Sequence, residues 1–159
     1  MNRKFFLILE QILVVSILQY IFYNFFNFKI VPSFYLIYLL LLSFNGEVEV
    51  SIFLSFLLGI INDLFTKELL GATSIRYLLL VYFSSFFVVK STISKSSLIF
   101  LFSFLYFILL IFKKEGQLMW NSWVLLKYAF LFSFYNFLIG IFVEIFVKEI
   151  SRRWEERFF

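Results

Sequence analysis

The chain has 159 residues, of which 63% are hydrophobic and 15% charged, with a net charge of +4 and a mean hydropathy of +0.98. A soluble domain is about 45–50% apolar and about 25% charged, so this composition reads as an integral membrane protein folded as one compact bundle. The chain has no Cys and no His, which excludes thiol catalysis, disulfides and the usual zinc, haem and iron–sulfur ligands; no cofactor or metal is expected.

In chain order, Met1-Asn2-Arg3-Lys4 leads into an apolar run over residues 5–26. The run is too long for a signal peptide, contains Glu10, Gln11 and Gln19, and shows no small-residue cleavage site, so it reads as a first transmembrane helix. Residues 30–44 form the second run, with Pro32 near its start, where a missing N–H costs least. This run is short for a full span, and tilt or local thinning of the bilayer is expected. Asn45-Gly46-Glu47 reads as a turn before the third run, residues 48–65. Thr66-Lys67-Glu68 is so short a connector that the third run and the fourth, residues 69–89, should form an antiparallel hairpin. A polar linker, 90–97, precedes the fifth run, 98–112. The longest connector, with Gly116, Trp120 and Trp123, precedes the sixth run, 124–147, and a charged tail follows from Lys148.

The expected fold is therefore an all-α integral membrane protein, a single six-transmembrane-helix bundle. Backbone groups in hydrocarbon must bond internally, and the runs do not match the roughly 10-residue alternating segments of a barrel. Arg3, Lys4, Lys90, Lys95, Lys148, Arg152, Arg153 and Arg157 fall on the side of the termini, against Lys29, Lys67, Lys113 and Lys114 opposite. This bias predicts cytoplasmic termini in a multi-pass cell inner-membrane protein. The basic residues sit in connectors, so no nucleic-acid surface is expected.

Five charges fall inside the predicted spans: Glu10, Asp63, Arg76, Lys127 and Glu144. Charges near the bilayer core cost at least about 2.5–3.5 kcal/mol on insertion scales, so they should face protein or water, with snorkelling to the interface open to Glu144, Arg76 and Lys127. The third run carries Ser51, Ser55, Gly59 and then Asn62-Asp63 on one narrow face. The sixth carries Ala129, Ser133, Asn136, Gly140, Glu144 and Lys148. Small and polar stripes of this kind let helices approach closely, either to seal the bundle or to dock a partner helix. Asp63 is a natural brace for the tight turn, with Lys67 or Arg76 as its partner. No acid/base pair with a nucleophile shares one depth, and no glycine-rich phosphate loop is present, so no catalytic residues are predicted.

The pattern Gly59-x3-Asp63-x7-Gly71, with Leu70 before the second glycine, resembles the central signature of the rod shape-determining MreD family. In that family it bridges two consecutive membrane helices. Chain length, six spans, Pro32 opening the second span, Asn136 in the last span and the basic tail agree in outline. Two positions depart: Ser33 stands where the family often has Asp after the proline, and Arg76 where it is usually apolar or small. The resemblance implies a non-enzymatic membrane scaffold of the elongation machinery, helping to control side-wall peptidoglycan synthesis and rod shape. It implies MreC as direct partner, with MreB, RodA and a class B penicillin-binding protein reached through it, and the tail on cytoplasmic partners or anionic lipid. The same bundle is similar to the S components of energy-coupling factor vitamin transporters, which supply the alternative function. S components dock through alanines spaced four apart in the first span, whereas this chain has only Ala72 and Ala129. A membrane enzyme acting on lipid-linked substrates is the third reading.

Overall fold

The computed structural model describes residues 3–25, 32–66, 69–87, 89–112 and 122–158, which form six α-helices. They are α1 (Arg3–Phe25), α2 (Phe34–Phe44), α3 (Val48–Thr66), α4 (Ala72–Ser84), α5 (Thr92–Phe112) and α6 (Ser122–Phe158). There is no strand among the described residues. Three helices hold stretches long and apolar enough to cross a membrane: Val48–Thr66, Thr92–Leu109 and Trp123–Glu149. The described apolar part of α1, Ile8–Asn24, and the whole of α2 are shorter.

The second helix is where the structure departs most from the expected row of spans. At about 1.5 Å per residue α2 is only about 16 Å long, against a hydrocarbon core of about 30 Å. All of Phe34–Phe44 is buried, and α2 packs against each of the other five helices. It is the axis around which they stand. The fourth helix is also shorter than its apolar run, because the chain turns after Ser84. There Ser84 Oγ and Ser85 Oγ donate to the Val81 and Tyr82 carbonyls, and Phe86 and Phe87 N–H bond three residues back. Such local hydroxyl bonds compete with helix continuation. At the other extreme, α6 runs 37 residues, about 55 Å, and its charged tail is part of the same helix.

Both ends of α2 have identifiable causes. At its start Pro32 is followed by the N-cap Ser33, whose Oγ accepts the Leu36 N–H at 3.4 Å. Asn136 Oδ1 of α6 accepts the Ser33 N–H at 3.1 Å, and Gln19 Oε1 of α1 accepts the Phe34 N–H at 2.8 Å. Ser33 Oγ also lies 3.0 Å from the Tyr77 hydroxyl of α4. The end is a glycine stop: Gly46 has φ +88°, its N–H donates to Ser43 O, and Glu47 N–H donates to Leu42 O. That pairing satisfies the last carbonyls of the helix.

The surface is the reverse of a soluble domain's. Phe53, Leu64, Tyr82, Phe86, Phe142 and many other large apolar side chains are exposed, while Gln11, Ser51, Ser84, Ser103, Ser133 and Asn136 are buried. An apolar exterior this extensive is one that hydrocarbon, not water, would cover.

Asn136 serves two neighbours, since its Nδ2 donates to Ser103 Oγ of α5 at 3.0 Å. Asn136→Ala leaves the Ser33 N–H and the Ser103 hydroxyl without these partners. The expected loss is about 1–3 kcal/mol, to be read as a lower thermal midpoint of the purified protein in detergent.

Candidate functional site

The Gly59–Gly71 signature forms one compact corner between α3 and α4. A side chain at Gly59 is sterically excluded: an added Cβ would lie 2.4 Å from Ser74 Cα and 2.5 Å from Ser74 N. The two backbones touch there, and Ser74 Oγ donates to the Phe56 carbonyl across the contact at 2.9 Å. One turn later Asp63 is buried, and both carboxylate oxygens accept the Thr73 N–H at 3.2 Å. Thr73 is the second residue of α4, so the carboxylate of one helix caps the free N–H end of the next. The negative charge also meets the positive end of the α4 dipole. Gly71, the N-cap of α4, offers no side chain for that task and sits at φ +89° in the left-handed region, which favours glycine. The brace expected of Asp63 is thus on the α4 backbone. Lys67, one of its two expected partners, lies outside the described residues; Arg76, the other, is buried one turn beyond Thr73.

The rest of the α3 stripe faces the bundle interior. Ser51 Oγ donates to Leu39 O of α2 at 2.7 Å, and Ser55 Oγ donates to Ser51 O at 2.7 Å. The α6 stripe faces α5 rung by rung. Asn136 meets Ser103; Gly140 lies where an added Cβ would be 2.9 Å from Ile99 Cδ1; Glu144 meets Lys95. Ser133 is buried, and its hydroxyl donates to Ala129 O within the helix at 2.7 Å. Ser51, Ser55, Gly59, Asp63, Ser133, Asn136, Gly140 and Glu144 are thus buried in the bundle, whereas Asn62 is half-buried and Lys148 exposed.

Glu144 does not snorkel. It is 2% exposed, and its Oε1 accepts from Lys95 Nζ at 3.3 Å and from Lys148 Nζ at 2.9 Å. Oε2 is buried with no hydrogen-bond partner among the described residues. Lys95 Nζ also donates to Asn45 Oδ1, the C-cap of α2, so one buried cation ties together α2, α5 and α6. This corrects two sequence expectations. Lys95 is not a solvated linker charge but lies in the first turn of α5, which begins at Thr92 rather than Leu98. It also leaves the count of solvated charges that argued for cytoplasmic termini. Among the remaining in-span charges, Arg76 is interior, whereas Glu10 and Lys127 lie on the exposed faces of α1 and α6. The connector holding Trp120 lies outside the described residues.

Residues the sequence reading passed over hold much of this interior: Lys95, Gln11, Gln19 and the Ser43–Ser84 hydroxyl pair at 2.8 Å. The signal for Lys95 was present as spacing. Lys95, Ile99 and Ser103 recur every four residues, as do Asn136, Gly140 and Glu144, and two such stripes match when helices run antiparallel.

No family model, curated protein or solved structure matches this chain.

The two stripe glycines should behave differently. Gly59→Ala drives a methyl into backbone and is expected to cost upwards of about 1–3 kcal/mol; at Gly140 the obstacle is the end of Ile99, which can turn aside, so Gly140→Ala costs less. Thermal midpoints of the two variants in detergent give the comparison, and equal losses would contradict the geometry. For the buried pair, Lys95→Met leaves the buried Glu144 carboxylate with only the exposed Lys148 and is expected to destabilise by up to about 3 kcal/mol, whereas Lys95→Met with Glu144→Met recovers most of it. Equal destabilisation of the single and double variants would show that the charges are not coupled.

Proposed function

We propose that this chain is an MreD-like, non-enzymatic scaffold of the cell-elongation machinery, a multi-pass protein of the cytoplasmic membrane with six membrane-embedded helices and cytoplasmic termini. It binds MreC and through it communicates with MreB filaments, RodA and a class B penicillin-binding protein. The observation that carries the reading is the signature itself. Its three fixed positions have three separate structural tasks in a single corner: Gly59 admits the Ser74 backbone, Asp63 caps α4, and Gly71 takes the left-handed turn. A motif in which each position answers a distinct physical demand is more informative than the same letters scattered in an apolar run.

Two further observations weigh on the rivals. An S component must enclose a small polar molecule within the bundle, but the axis here is filled by α2, whose residues from Leu36 to Leu40 have no exposed surface. An enzyme needs an acid or base aimed at a substrate, and the buried acids Asp63 and Glu144 are engaged with a helix end and with two lysines. With the small-residue stripes used internally, partner contacts fall to the outward faces of the helices and to the end of α6, where Arg152 is exposed and bonded to Glu149.

The test is co-purification. The tagged chain, solubilised from membranes co-expressing MreC of its own organism, should retain MreC through size exclusion. Separate elution of the two folded proteins under conditions that preserve other membrane complexes would overturn the scaffold reading.

A further inference from the structure

Charge is unevenly balanced at the end where α5 begins and α6 leaves its apolar stretch. The stretches Thr92–Leu109 and Trp123–Glu149 stop at one level there, since Lys148 Nζ donates to Thr92 Oγ1 at 3.1 Å. Where both stretches stop, lipid headgroups replace acyl chains. Three lysines gather at that level: Lys95 in the first turn of α5, Lys148 in α6, and Lys90, two residues before Thr92. Among the described residues one carboxylate pairs with them, that of Glu144, and Lys95 and Lys148 share its Oε1. Lys90 is exposed and has no ion pair among the described residues. Arg152, one turn beyond Lys148, is bonded to Glu149 and adds no excess. The lysines therefore outnumber their carboxylate by two. The first turn of α5 holds no acid, so the positive end of that helix adds to the excess instead of offsetting it.

The surroundings limit what can answer this charge. The Lys148 side chain is 58% exposed although its ammonium is bonded twice. On the membrane side of Lys90 and Lys148 stand Ile93 and Ile145, exposed at 73% and 59%. A dissolved anion would meet the lysines and leave the isoleucines uncovered. A phospholipid meets both, with its phosphate at the ammonium groups and its acyl chains along the isoleucines. A zwitterionic headgroup carries its own cation, so an uncompensated positive charge favours a headgroup with net negative charge.

We propose that the α5–α6 junction at Lys90 and Lys148 binds the headgroup of an anionic phospholipid. The site requires that the chain lie in a bilayer and is independent of the scaffold reading.

The experiment uses the full chain purified in detergent, with phosphatidylglycerol or phosphatidylcholine added and bound lipid counted by native mass spectrometry. Near a charged lipid surface each lysine is worth about fivefold in binding. The parent chain is expected to retain phosphatidylglycerol over phosphatidylcholine by about tenfold, and Lys90→Gln to lower that retention by about fivefold. Lys90→Gln removes no internal contact, so misfolding cannot account for the loss. Adding Lys148→Gln, which leaves Glu144 with Lys95, should abolish the preference. Lys127→Gln, at the opposite end of the apolar stretch of α6, should leave retention at the parental level. Equal retention of the two lipids by the parent, parental retention by the double variant, or an equal loss from Lys127→Gln would overturn the site. Displacement of the lipid by millimolar inorganic phosphate would assign the lysines to free phosphate and overturn it as well.

Discussion

The structure depends on one awkward object, a helix that begins inside the bundle. Any helix start leaves four N–H groups without intrahelical partners. Water meets them in a soluble protein, but hydrocarbon has nothing to offer. Here the acceptors come from three places: Ser33 itself, Gln19 of α1 and Asn136 of α6, with Tyr77 of α4 on the Ser33 hydroxyl. These bonds fix where α1, α4 and α6 stand relative to α2. They also explain why polar side chains are drawn inward while phenylalanines and leucines are left outside. The polar residues are needed where a backbone has been interrupted, and the apolar ones are at no disadvantage facing lipid.

Around that axis stand two hairpins closed by different means. Between α3 and α4 the closure is backbone against backbone, made possible by Gly59 and locked by Asp63 on the α4 N-terminus. Between α5 and α6 it is side chain against side chain, in three rungs from Ser103–Asn136 through Ile99–Gly140 to Lys95–Glu144. The last rung is the most demanding. Burying an ammonium and a carboxylate is expensive unless both are further bonded, and both are: Lys95 reaches the Asn45 cap of α2, and Glu144 takes Lys148 as well. The upper rung holds the start of α2 through Asn136 and the lower rung holds its end through Asn45, so α5–α6 grips the central helix at both termini.

What the sequence made legible follows from what hydropathy measures. The described extents of α1 and α3 fall within two residues of their apolar runs. Hydropathy does not separate a run that faces lipid from one surrounded by protein, so the burial of Phe34–Phe44 on every side was not legible in the apolar run 30–44. It also reads charge as solvent exposure. Lys95, among serines at Lys90–Ser97, has the composition of a linker, and its partner lies 49 residues away. The Gly59 and Asp63 corner was easier, since its members are close in sequence and the connector is too short to permit another arrangement. Glutamines 11 and 19 were noticed only as obstacles to a signal peptide, because a lone amide in an apolar run carries no indication of the backbone or hydroxyl it will meet.

The internal use of the two small-residue stripes has a consequence for recognition. In many membrane assemblies such stripes are the docking surface; here they are spent on holding α2 in place. What remains outside is broad, apolar and nearly featureless, a surface that binds lipid everywhere and selects nothing. One face of α6 carries Asn136 and Glu144, which locate α2, and another carries Phe142, Phe146 and Val147 beside Gln11. The helix then continues without a break to Phe158, about 13 Å beyond the apolar stretch that ends at Glu149. The element that clamps the core and the rod that leads away from the bundle are therefore one continuous helix, with no loop between them.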